Sequence, residues 1–117
     1  MIELQLPEAG TSSLRFALLT NHGHVLSLIA QQPDIRMREI AANVGITERA
    51  VQRIVDELTT CGYIGVTKDG RRNRYQVRKE HQLHHPVEQH RSVGDLVRFM
   101  SPQFQQNYVL RAFISNR

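Results

Sequence analysis

The stretch "REIAANVGITERAVQRIVDEL", residues 38–58, reads as one amphipathic helix until Gly45 interrupts it, and a second helical pattern begins at Thr47. In the first half Ile40, Ala41 and Val44 share a face, and Gly45 follows the last periodic residue, where a left-handed cap favours a residue without Cβ. Thr47 suits the N-cap of a new helix, its hydroxyl accepting from the N–H of residue 49 or 50. Val51, Ile54, Val55 and Leu58 then form a buried stripe that Cys61-Gly62 ends. A chain that turns this sharply between two packed helices needs small side chains where they touch, and Ala41 and Ala50 supply them.

The outward face of the second helix carries Glu48, Arg49, Gln52, Arg53 and Asp56. On an isolated helix such a face is a solvated surface laced with Glu–Arg pairs. Behind a tight corner the chemistry suits base edges: Arg bonds guanine O6 and N7, Gln bonds adenine N6 and N7, and Glu accepts from cytosine N4. The next segment, "YIGVTKDGRRNRYQV" (residues 63–77), places β-type residues on either side of Asp69-Gly70, a strong hairpin signal. Residues 68–79 hold six bases (Lys68, Arg71, Arg72, Arg74, Arg78, Lys79) against one acid. One or two lysines suffice to keep an edge strand from pairing with another sheet; this tip has more.

The corner, the helix face and the basic hairpin together resemble, over residues 21–79, the small winged helix-turn-helix regulators of the MarR and ArsR type. That resemblance implies a fold that is mainly α with a small β-hairpin wing, extended here by added C-terminal helices. It implies double-stranded DNA as partner. Thr47, Glu48, Arg49, Gln52 and Arg53 would read bases, and Lys68, Gly70, Arg71, Arg72 and Arg74 would form the wing. Arg36 and Arg38, at the start of the preceding helix, would meet phosphate. A homodimer on a pseudo-palindromic operator follows from the family alone, with half-sites about one helical turn apart.

The charge distribution agrees with a polyanion met by one part of the chain. The net charge is +4, yet residues 1–35 hold one base and three acids, residues 36–79 ten bases and five acids, and residues 80–117 four and three. The 117-residue length fits one domain. Residues 1–20 read as an N-terminal arm, with "MIELQLP" a short strand at most. "LRFALLT" is ambiguous between strand and helix. Asn21 is the expected N-cap of a first core helix with Val25, Leu28 and Ile29 on its apolar face, closed by Pro33.

Residues 80–117 are expected to be a linker followed by helices that either pack back on the first helix or pair with a second chain, through residues 92–115; pairing is the favoured reading. Ser92 with Asp95 marks one helix start, before Val93, Leu96, Val97 and Met100. Ser101-Pro102 marks another, before Phe104, Tyr108, Val109, Ala112, Phe113 and Ile114.

His81, His84, His85 and His90 have the composition of a transition-metal site. Pro86 interrupts any helical pairing of the rings, so the segment reads as a polar linker and no metal or other cofactor is assigned. His22 and His24 read as a satisfied helix end or as phosphate neighbours. The lone Cys61 excludes an internal disulfide, suits a reducing compartment and reads as a small buried hydrophobe. Neither a secretory leader nor a bilayer-length apolar run is present, so a soluble cytoplasmic protein is expected.

Phosphate loops, nucleophile elbows and paired-carboxylate motifs are absent, and no substrate pocket is expected; the chain does not read as an enzyme. Two other readings remain: a winged helix that docks on protein, which needs no such basic wing, and an RNA-binding one, for which Tyr63 and Tyr75 are the only aromatics near the wing and both are expected to turn inward.

Overall fold

A computed structural model describes residues 16–102. The elements run α1 (Asn21–Gln31), α2 (Met37–Val44), α3 (Glu48–Thr60), β1 (Ile64–Asp69), β2 (Arg72–Val77) and α4 (Val93–Phe99). Four helices and an antiparallel hairpin enclose one core, in which Val25, Ile29, Ile40, Val51, Ile54, Ile64 and Val93 are all but sealed from solvent.

The Gly45 corner forms as its residues dictate. Gly45 adopts φ +85°, its N–H donates to the Ala41 carbonyl at 2.8 Å, and the Ile46 N–H donates to the same oxygen at 3.1 Å. Thr47 is the N-cap of α3, its hydroxyl accepting from the Ala50 N–H at 3.1 Å. At the other end the Gly62 N–H donates to Thr59 and the Tyr63 N–H to Leu58, the paired bonds of a Schellman cap, with Gly62 at φ +87°. Val51, Ile54, Val55 and Leu58 are buried, so α3 is held along its full inner stripe.

Four expectations need correction. The N-cap of α1 is Thr20, which accepts from the Gly23 N–H, and Asn21 is already helical. Both residues are cap formers, and the threonine one position earlier takes the place. Residues 16–20 form neither strand nor helix.

The hairpin loop is Gly70-Arg71, with Asp69 paired to Arg72. Gly70 has φ +66° and, among the described residues, no non-glycine residue has positive φ, the pattern of a II′ turn with glycine first. Asp69 therefore ends the strand and is the first of the four turn residues, outside the two-residue loop.

The helix at 93–99 packs back on α1 and the core. Val93 and Val97 are buried, and the Val93 and Gly94 N–H groups donate to the carbonyls of His81 and Lys79. Its start is a reciprocal capping box between Ser92 and Asp95. The segment before it is pinned at both ends by an isolated bridge between Gln82 and Ser92, with Leu83 against the core. The second expected C-terminal helix, and residues 1–15, lie outside the described residues.

The wing is joined to the body on both sides. The Tyr75 N–H donates to the Pro33 carbonyl, so the α1–α2 connection runs beside β2, and the Arg78 N–H donates to the Tyr63 carbonyl. Tyr75 is buried, and Tyr63 is half-buried with its hydroxyl accepting from the His84 N–H at 2.7 Å. Cys61 is half-buried at the end of α3, its thiol directed at the Leu58 carbonyl.

Candidate nucleic-acid interface

All twelve residues expected to meet nucleic acid are exposed: Arg36, Arg38, Thr47, Glu48, Arg49, Gln52, Arg53, Lys68, Gly70, Arg71, Arg72 and Arg74. The stripe opposite the core presents Arg49, Gln52 and Arg53 from successive turns of α3. Arg49 has no partner among the described residues. Gln52 Nε2 donates to Asp56 Oδ1 at 2.8 Å, and Arg53 Nε stands 3.8 Å from Glu57 Oε1. Both ties span i,i+4 and lie in solvent, where such pairs contribute a few tenths of a kcal/mol.

Two arginines crowd the start of α2. Arg36 is its N-cap and Arg38 its second residue, where the helix dipole is already positive. Glu39 answers them locally, a carboxylate oxygen accepting from the Arg36 N–H at 3.2 Å. That bond caps the helix but leaves both guanidinium groups exposed, as phosphate neutralisation requires.

The register divides the cations of the wing between two faces. Thr67, Asp69, Arg72 and Arg74 alternate onto the outer face, whereas Lys68 shares the inner face with Val66, Asn73 and Tyr75, beyond the point where the body covers it. Arg78 folds back across Gly65, whose missing Cβ would lie 3.4 Å from its Nη2. The outer face and tip thus carry Arg71, Arg72 and Arg74, with Arg78 over Gly65 on the same face, while Lys68 stands on the other.

The sequence reading missed three features. His22 Nε2 lies 3.6 Å from Glu57 Oε2, linking α1 to α3. The i,i+4 ties of Gln52 and Arg53 were legible in the spacing. Contrary to the expectation of no pocket, a groove of about 700 Å³ opens between the start of α1, Leu58, Tyr63, Leu83 and α4. Leu18, Val87 and Phe99, three exposed large apolar side chains, border it. Linear periodicity does not reveal a groove built by four separate segments.

Among the described residues no three His, Cys, Asp or Glu side chains gather as a metal site, and no helix is long and apolar enough to cross a membrane.

Residues 18–64 match the model of a family described as winged helix-turn-helix DNA-binding. Over those residues the chain is similar to that family. That match spans α1 to the first residue of β1, so it includes the corner and α3 but not the wing tip. No curated protein matches the sequence.

Among solved structures, ZitR of Lactococcus lactis, in complex with DNA, is similar with a TM-score of 0.51 at 17% identity, over 97% of this chain and 69% of that one. MepR, a transcription regulator of the Staphylococcus aureus multidrug efflux pump MepA, gives 0.47 at 18%, over 83% of this chain and 64% of its own. The PcaV transcriptional regulator of Streptomyces coelicolor, with its natural ligand, gives 0.49 at 20%, over 84% and 72%. The chain thus spans just under two thirds of the MepR chain. At these identities the likeness is one of fold alone.

Proposed function

We propose that the protein is a sequence-specific, double-stranded DNA-binding transcriptional regulator, a binding protein rather than an enzyme, acting in the cytoplasm. The observation that carries this reading is the exposed Arg49–Gln52–Arg53 stripe on a helix held rigid by the Thr47 cap, the Gly62 cap and a fully buried inner face. Placed in a major groove, that stripe reads base edges. Arg36, Arg38 and the arginines of the wing neutralise phosphates, giving a sequence-independent affinity that falls with salt. Residues 21–79 supply the reading surface in this proposal, and residues 1–20 an arm.

The proposal includes a homodimer formed through residues 92–115, to which α4 contributes only the side it does not bury in its own core. The apolar rim formed by Leu18, Val87 and Phe99 next to α4 supports it, since an apolar border of this kind suits a further surface. Two chains related by a two-fold axis would place two α3 helices on a pseudo-palindromic operator.

A selection from random duplex DNA, with a mass measurement in solution, tests both parts. A recovered palindrome and a two-chain mass are the expected results. Binding that ignores sequence, or that favours single-stranded RNA, would overturn the reading of α3. A one-chain mass on the selected duplex would overturn the dimer.

A further inference from the structure

All six histidines of the chain lie among the described residues, and two of them meet. His81 Nε2 and His84 Nε2 are 3.3 Å apart, both rings are exposed, and the rings are tilted by 57° with centroids 5.4 Å apart, so they do not stack. Imidazole–zinc bonds of 2.0–2.1 Å at a tetrahedral angle separate two ligand nitrogens by about 3.3–3.4 Å. The pair already has that spacing. In the metal-free chain the same approach is an N–H···N hydrogen bond, one ring donating to the other, and a metal would take the place of the shared proton.

Three features of the surroundings favour a cation there. Tyr63 fixes both rings: it contacts His81 edge-on and His84 at 4.9 Å between centroids, while its hydroxyl accepts from the His84 N–H. Gly62, at the C-terminal end of α3, leaves His81 Nε2 uncovered; a Cβ there would lie 3.2 Å from that nitrogen and force it to move. The end of α3 carries the negative pole of the helix dipole, which favours positive charge.

We propose that His81 and His84 are a two-imidazole site for a divalent transition metal of the zinc or copper class, seated at the C-terminal end of α3. Neutral imidazole nitrogen suits these ions, and hard-cation oxygen ligands are lacking. Among the described residues no third His, Cys, Asp or Glu joins the pair, so the remaining coordination positions belong to solvent or to an incoming donor. Both ligands come from the segment that leaves the wing, so a metal there would close the turn between residues 81 and 84.

The site does not depend on DNA binding. The test is calorimetric titration of the full chain with zinc chloride alone, alongside His81→Ala, His84→Ala and a His85→Ala/His90→Ala control. One equivalent should bind to the unaltered chain and to the control, and affinity should fall at least about tenfold in each of the first two variants. Imidazole ¹H–¹⁵N spectra should place the zinc-induced shifts on Nε2 of two rings. His81→Gln and His84→Gln, with thermal melts, separate ligand loss from unfolding. An unaltered chain that takes up no zinc, affinity unchanged by the His81 and His84 substitutions, or loss confined to the control would each overturn the site.

Discussion

Arg53 Nε lies 3.8 Å from a carboxylate oxygen of Glu57, one turn further along α3, with both side chains largely in water. An exposed i,i+4 pair of this kind contributes about 0.3–0.5 kcal/mol, whereas a bidentate contact from arginine to guanine discriminates by about 1–3 kcal/mol. The base contact is the stronger, so in the proposed complex the loosely held Arg53 would give up the pair.

Arg49→Ala and Arg53→Ala should therefore each relax preference at particular base pairs, by about fivefold to a hundredfold at those positions. Glu57→Gln should change affinity by no more than about twofold, on the strengthening side. Sequence profiles from selected duplexes check this. An unchanged profile for both arginine variants would place α3 outside the groove.

Removing Arg71 and Arg72 together should weaken binding to every duplex alike and flatten the plot of log affinity against log salt by about one to two units. The measurement is affinity over a salt series. A slope identical to that of the unaltered protein would show the wing tip off the phosphates.

Two glycines should fail for different reasons. At Gly45 nothing lies within 4 Å of an added Cβ, so Gly45→Ala costs only the strain of φ +85°, about 1–2 kcal/mol. At Gly94 helix propensity favours alanine by about 1 kcal/mol, but the Cβ would sit 2.9 Å from the Lys79 carbonyl oxygen. That oxygen accepts the Gly94 N–H and cannot retreat without losing the bond. Gly94→Ala should therefore be net destabilising in urea melts; a variant as stable as the parent would show that α4 shifts freely.

The Asp95 carboxyl is held below its usual range chiefly by the Ser92 N–H, with the Ser92 hydroxyl, Arg91 and Arg98 acting the same way and desolvation opposing. A depressed folded-state pKa adds stability that is complete above the unfolded value, near 3.8, and is lost as pH falls through the lower folded value. The advantage of the unaltered chain over Asp95→Asn should be constant from about pH 5 to 7 and shrink below about pH 4. A gap that persists undiminished in acid would assign the loss to packing instead.

The helix-turn-helix was legible because its signals are local: Gly45 requires a left-handed turn, Thr47 a cap, and Val51, Ile54, Val55 and Leu58 one face. The hairpin was legible for the same reason, and its turn was misplaced by one residue because Asp-Gly and Gly-x loops share a glycine. The position of α4 was not legible. Val93 and Val97 suit a chain's own core or a partner equally well, and only the bonds from Val93 and Gly94 to His81 and Lys79 decide between them. The meeting of His81 and His84 depends on the Tyr63 hydroxyl, 21 positions away in sequence, which no window of spacing contains.

Those bonds from α4 reach backbone at Lys79 and His81, directly after the strand that leaves the wing. A displacement of α4 by anything that grips it is thus delivered at once to the root of the basic ribbon, without passing through α3. Severing the chain behind Lys79 would remove two side chains from the hydrophobic interior, so the smallest autonomous folding unit extends at least to the end of α4.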